Sequence, residues 1–132
     1  MLFTKTIVEG SPIRLFNHGR MRRDFPFVDD VTQSMIRLID PPAQACSEGA
    51  APAKVYNVGN NHPEELTHVV SVLERELGRE AVKEMLPMQP GDVTETFADV
   101  TELMRDTGFR PQTLIEDGLS RFVAWYRDDH RI

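Results

Sequence analysis

The chain has 132 residues, 40% of them hydrophobic and 27% charged, with 15 Lys and Arg against 21 Asp and Glu. That length suits one domain able to bury about two-thirds of its unfolded surface, and the composition excludes a disordered chain. A net charge of −6 and a lone cysteine, Cys46, exclude a general nucleic-acid binder, an internal disulfide framework and a multi-thiolate metal site.

No apolar run reaches bilayer length and no signal-peptide pattern opens the chain, so no membrane partner is expected and the cytoplasm is the expected compartment. Charge is unevenly placed. Residues 1–40 hold six Lys/Arg and five Asp/Glu, against nine and 16 in residues 41–132. The one dense basic stretch, His18-Gly19-Arg20-Met21-Arg22-Arg23, suits a small anion such as a phosphate better than a polymer.

Residues 2–9 read as the end of a helix closed by Gly10. Pro12 introduces an alternating strand at 13–16, and Asn17-His18-Gly19 turns the chain. Phe25-Pro26-Phe27-Val28 reads as a second short strand at an edge, because Pro26 has no N–H to donate. Asp29 or Asp30 should cap a helix to about Ile39 with Val31, Met35 and Leu38 inward, stopped by Asp40-Pro41-Pro42. Residues 43–53 read as an exposed, mobile loop with Cys46 a bystander thiol.

Lys54 to Gly59 reads as a strand. His62-Pro63-Glu64-Glu65 should start a helix ending at Gly78, with Leu66, Val69, Val70, Leu73 and Leu77 on its apolar face. A third strand is expected at 82–86, then the turn Pro87 to Asp92. Asp99 should cap a helix through Thr107, and Thr113-x-x-Glu116 reads as a capping box for the last helix, with Ile115, Leu119, Phe122, Val123 and Tyr126 inward. Strands mixed with four to five helices give an α/β (α+β) class built on a small mixed sheet.

The usual catalytic spacings are missing. The eight glycines (10, 19, 49, 59, 78, 91, 108 and 118) are never two or three apart, which excludes both Gly-rich phosphate-loop patterns. Four residues beyond Tyr56 and Tyr126 stand Asn60 and His130, so a Tyr-x-x-x-Lys pair is absent. The histidines show no ligand spacing, and His68 reads as a surface or boundary residue on its helix.

Binding features are better represented. Arg22 and Arg23 precede a predicted strand and offer a planar fork of donors matched to phosphate, although a solvated basic turn balanced by Asp24, Asp29 and Asp30 fits the spacing too. Asn57 reads either as an amide offered to a ligand or as support for the turn at Gly59. Gln89 and Asp92 bracket a Pro-Gly turn and are able to meet a sugar hydroxyl, where plain punctuation is the alternative.

Four ordered segments carry a resemblance: Arg22-Arg23-Asp24-Phe25-x-Phe27-Val28-Asp29-Asp30, Val55-Tyr56-Asn57-Val58-Gly59, Leu86-Pro87-Met88-Gln89-Pro90-Gly91-Asp92-Val93 and Phe97-Ala98-Asp99. With Gly108-Phe109-Arg110-Pro111 and Trp125-Tyr126, they resemble the C-terminal part of extended short-chain dehydrogenase/reductase sugar-nucleotide epimerases over essentially the whole chain. Gln89 before Pro-Gly-Asp points to the UDP-glucuronate 4-epimerase branch, since UDP-galactose epimerases usually carry arginine there. Pro26-Phe27 in place of Thr-Tyr or Ile-His, and His18 where tyrosine is common, are departures that bear on the sugar.

The resemblance implies roles by position. Arg14 and Phe16 match the strand whose main chain holds the uracil, and Arg23 the arginine gripping the diphosphate. Asn57 matches the family asparagine near the phosphates, and Asp92 a carboxylate near the ribose, with Gln89 in the same pocket. Residues 1–132 would be the portion that binds UDP-glucuronate or UDP-galacturonate. The catalytic residues and NAD would belong to an N-terminal Rossmann domain, with no cofactor held here. The chain alone is then expected to be inactive, its helix at 30–39 and strand at 54–58 to lean on the Rossmann half, and bared apolar surface to favour self-association. An independent nucleotide- or phosphate-binding module and a non-catalytic interaction domain stay open as alternatives.

Overall fold

The computed structural model describes residues 2–39 and 51–132. Cys46, the Asp40-Pro41-Pro42 stop and most of the 43–53 loop lie outside the described residues. Among the described residues the elements run α1 (Leu2–Val8), β1 (Ile13–Leu15), a 3-10 turn (Phe16–Gly19), β2 (Arg22–Asp24), α2 (Val28–Arg37), β3 (Pro63–Glu65), α3 (Leu66–Leu77), β4 (Lys83–Met85), α4 (Thr101–Thr107) and α5 (Ile115–His130). The class is mixed α/β, with two small sheets: β1 pairs in parallel with β4, and β2 pairs with β3. None of these helices is long and apolar enough to cross a membrane.

The chain divides into two compact units. One gathers Met1–Arg23, Pro63–Thr96 and Leu114–Ile132. Its core follows the apolar period of α3, which buries Val69, Val70, Val72, Leu73 and Leu77. Ile7, Ile13, Leu15, Ile115, Val123 and Tyr126 are buried as well. Each such side chain withdrawn from water contributes about 1.5–3 kcal/mol. Gly78 closes α3 at φ +65°, a left-handed cap that a side chain would resist. Lys83 Nζ and the Ala81 amide both donate to Glu74 Oε1, at 2.7 and 2.8 Å, fastening the start of β4 to α3.

The helix expected from Pro63 begins three residues later. Pro63–Glu65 is extended and pairs with β2, and the Leu66 amide donates to the Met21 carbonyl at 2.8 Å. Pairing outweighs helix-start chemistry there, and proline at a strand's first position forfeits no ladder bond. The capping box at Thr113 does not form either: α5 has Leu114 at its N-cap with no side-chain cap bond.

The second unit comprises Asp24–His62 and Phe97–Thr113. The strand expected at 25–28 is displaced, since β2 ends at Asp24 and Val28 already opens α2. The inward face of α2 is not the expected one. Asp30 and Ser34, one turn apart, are buried, whereas Met35 is 61% exposed. Asp30 Oδ2 accepts the amides of Thr113 and Gln112 at 2.9 and 3.3 Å, and Ser34 Oγ donates to the Asp30 carbonyl at 2.7 Å. A carboxylate serving otherwise orphaned amides fixes the helix rotation against its apolar period.

Residues 54–58 form no strand. A strand needs a ladder partner, and none is paired with this segment among the described residues; Val55 is left 90% exposed. What fixes the segment is a side-chain network on α4. Lys54 Nζ and Tyr56 Oη both donate to Asp106 Oδ2, and Arg105 Nε donates to Asp106 Oδ1 at 2.8 Å.

Candidate functional site

Of the residues expected from the sequence to form a site, those in the first unit centre on Arg23. Its Nη2 donates to Asp92 Oδ1 at 3.0 Å and to the Val93 carbonyl at 2.8 Å, and its Nη1 to the Arg22 carbonyl at 2.9 Å. The guanidinium is thus aimed by three acceptors on two segments and stays partly exposed, at 24% for Arg23 and 30% for Asp92. Pairing fixes the guanidinium in one geometry before any ligand arrives, which lowers the entropic cost of gripping an anion.

The strand order explains the meeting. Arg22 exchanges main-chain bonds with the segment after the turn, its amide donating to Thr94 O at 2.8 Å and its carbonyl accepting from Thr96 N at 3.1 Å. This pairing draws residues 92–96 alongside β2. The turn itself closes with the Asp92 amide on the Gln89 carbonyl at 3.2 Å, and Gly91 takes φ +82°. Gln89 is exposed at its rim.

Arg14 and Phe16 are placed differently. Arg14 is exposed on β1 and pairs with Glu84, its register partner on β4, at 3.4 Å. Phe16 lies just beyond the strand, where the 3-10 turn begins, and is half-buried. On either side of it the Leu15 carbonyl and the His18 amide are both bonded to Leu86, at 2.9 Å each. Asn17 and His18 follow with φ of +50° and +52°. Two successive non-glycine residues in the left-handed region cost of order 1–3 kcal/mol each, held here by Asn17 Nδ2 on the Arg20 carbonyl at 2.8 Å.

Asn57, the remaining expected site residue, belongs to the second unit and is exposed. The structure therefore joins Arg23, Asp92 and the Gln89 turn directly, and leaves Arg14 in its own ion pair. His68 is half-buried, with Nε2 2.9 Å from Glu116 Oε1, a link between α3 and α5.

Sequence reasoning counted Asp24 and Asp30 as balancing charges and overlooked what they hold. Asp24 accepts the amides of Asn60, Asn61 and Ala98 at 2.7, 3.1 and 3.2 Å. The signal was present in the paired aspartates around Phe25 to Val28, but acceptor roles toward distant main chain leave no local pattern. Asp106 was overlooked for the same reason.

Arg105, then Lys54 and Tyr56, hold the Asp106 carboxyl well below the usual carboxylate range, and the bond to Asp106 pushes the Tyr56 phenol up. A depressed carboxyl contributes stability above its ordinary value of about 3.9 and loses it as pH falls through the lower folded value. A raised phenol contributes below about 10 and loses it as pH rises further. Residues 54–56 should therefore stay fastened to α4 across neutral pH and loosen at both extremes. Tyr56 ring NMR shifts should stay flat from about pH 3 to 9, and Asp106→Asn should move them already at neutral pH; a step in the parent chain near the ordinary carboxylate value of about 3.9, or an unmoved Tyr56 signal in Asp106→Asn, would refute the network.

No family model matches the chain. Individual relatives do. Protein CapI of Staphylococcus aureus is 45% identical over 139 residues, covering 98% of this chain and 42% of that protein. A probable UDP-glucuronate 4-epimerase of Rhizobium meliloti is 41% identical over 140 residues, covering 98% and 41%. Among solved structures, the UDP-glucuronic acid 4-epimerase of Bacillus cereus in complex with UDP-glucuronic acid and NAD superposes with a TM-score of 0.78 at 23% identity, covering 96% of this chain and 38% of that one. The chain thus spans about two-fifths of the length of the relatives it matches. Along nearly its whole length the chain is similar to about two-fifths of a probable UDP-glucuronate 4-epimerase, and its fold is that of the matching portion of a solved UDP-glucuronic acid 4-epimerase.

Proposed function

We propose that this chain is the C-terminal portion that binds the UDP moiety of a UDP-sugar, UDP-glucuronate or UDP-galacturonate, within a cytoplasmic NAD-dependent 4-epimerase. The observation that carries the reading is the fork of Arg23, aimed by Asp92 and Val93 on the strand and turn that bear the family motifs. Arg23 binds the diphosphate through charge-assisted bonds, and Asp92 accepts from a ribose hydroxyl beside it. The main chain around Phe16, on the strand of Arg14, takes the uracil. Gln89 would lie in the same pocket as Asp92, and Asn57 near the phosphates, as the resemblance implies.

The solved relative from Bacillus cereus holds NAD, but the described residues here do not fit it. A dinucleotide cradle needs closely spaced glycines opening a helix. The left-handed glycines (Gly10, Gly19, Gly78, Gly91 and Gly108) instead end helices or turn loops. NAD, and the hydride chemistry it supplies when bound, is therefore assigned to a Rossmann domain that would be this portion's partner. What these residues contribute is binding energy and orientation of the sugar nucleotide.

The 132 residues alone should bind UDP in the millimolar range, prefer it to uridine, and lose affinity as salt rises. They should not epimerise UDP-glucuronate. Chemical-shift titrations with UDP and uridine, beside an epimerase assay on material free of host enzyme, check both. Equal binding of the two ligands, or turnover, would overturn the reading.

A further inference from the structure

Asn57 stands in an irregular stretch that two carboxylates brace from opposite ends. On one side, Lys54 and Tyr56 are bonded to Asp106. On the other, Asp24 Oδ1 accepts the Asn60 amide at 2.7 Å, while Oδ2 accepts Asn61 at 3.1 Å and Ala98 at 3.2 Å. Gly59 is packed so tightly that a Cβ there would come within 2.3 Å of the Ala98 Cβ and 2.7 Å of Asp24 Oδ2. Asn60 adds a bond from Nδ2 to the Thr113 carbonyl at 3.0 Å. Asn57, between the braces, is exposed.

A segment with no ladder partner would ordinarily keep its backbone freedom, and any ligand would have to remove that freedom on binding. Here two acidic side chains remove it beforehand. We propose that Asp24 and Asp106 are positioning residues that fix the 54–61 segment so that the Asn57 amide is presented ready-formed to its ligand; the ligand's identity rests on the reading of UDP-sugar binding above. Neither carboxylate need touch the nucleotide, because each acts through the backbone it holds.

The test begins without ligand. Asp24→Asn keeps one acceptor oxygen but sets an amide donor against the N–H groups on its other side, so hydrogen exchange at one or more of Asn60, Asn61 and Ala98 should accelerate at least about tenfold while Val70 and Leu73 in α3 keep their protection. UDP titrations then form a cycle. Asn57→Ala should weaken UDP about fivefold, the worth of one hydrogen bond. Asp24→Asn should cost about as much in the parent chain but less than about twofold once Asn57 is already alanine, since a residue acting only through Asn57 has nothing left to lose.

Asp106→Asn should repeat that non-additivity, which keeps the test open if Asp24→Asn fails to fold. Unchanged exchange at 60, 61 and 98, an equal loss in both backgrounds, or an Asn57→Ala variant that binds UDP like the parent would each overturn the proposal. Arg23→Ala separates the two levels. If it too leaves UDP binding intact, the UDP reading has failed; if it alone weakens UDP, only the positioning role has.

Discussion

Arg23→Ala should erase the preference of this chain for UDP over uridine. Net charge-assisted hydrogen bonds contribute roughly 1.5–3 kcal/mol each, so losing the fork should weaken UDP by at least about tenfold while uridine, which has no phosphate, changes little. The guanidinium is already committed to Asp92 and Val93, which gives the substitution a second effect. It leaves the Asp92 carboxylate beside the phosphate position without its cation, and repulsion then adds to the lost bonds. Arg23→Lys should fall between, because an ammonium keeps the charge but lacks the fork.

Arg37→Ala is the control. Arg37 lies over the Phe109 ring, 5.1 Å from its centroid, so removing it should lower stability by about 0.5–1 kcal/mol and leave UDP binding unchanged. Paired NMR titrations of the three variants at two salt concentrations measure all of this. If Arg23→Ala binds UDP as the parent does, the arginine is a surface charge tied to Asp92 and nothing more.

The second large effect concerns the outer side of α2. Val28, Met35 and Ile36 on α2, and Ile39 just beyond its end, are 64, 61, 52 and 77% exposed. Val55, 90% exposed, adds to the apolar surface of the same unit. Large apolar side chains left facing water in one unit favour association. In the proposed full-length enzyme those side chains would lean on the Rossmann half. In the 132-residue chain they should instead bind a hydrophobic dye and drive self-association at high concentration.

A Met35→Lys/Ile36→Glu pair should weaken that association at least about tenfold, since burying each side chain contributes about 1.5–3 kcal/mol. Thermal stability should hardly move, because neither side chain is buried in the folded chain. Sedimentation and dye fluorescence report the two effects separately. A parent chain that is strictly monomeric and dark to the dye would remove the basis for the prediction.

Local pattern alone was enough for several elements. The apolar period of 66–77 with Gly78 behind it, the alternation at 13–15, and the apolar positions of α5 each specify structure within one turn or one pleat, so neighbours in sequence carry the signal. The ordered motifs around Arg23, Asn57 and Gln89 to Asp92 were likewise legible as a family likeness. Tertiary structure decided the rest. Pro63–Glu65 became a strand because β2 offered it a partner, and Lys54–Val58 did not, because none of the described residues pairs with it. The rotation of α2 followed Asp30, which satisfies amides more than eighty residues away, rather than Val31 and Met35. In each case the deciding bond joins groups distant in sequence, and a hydrogen-bond acceptor carries no mark of which remote amide it will serve.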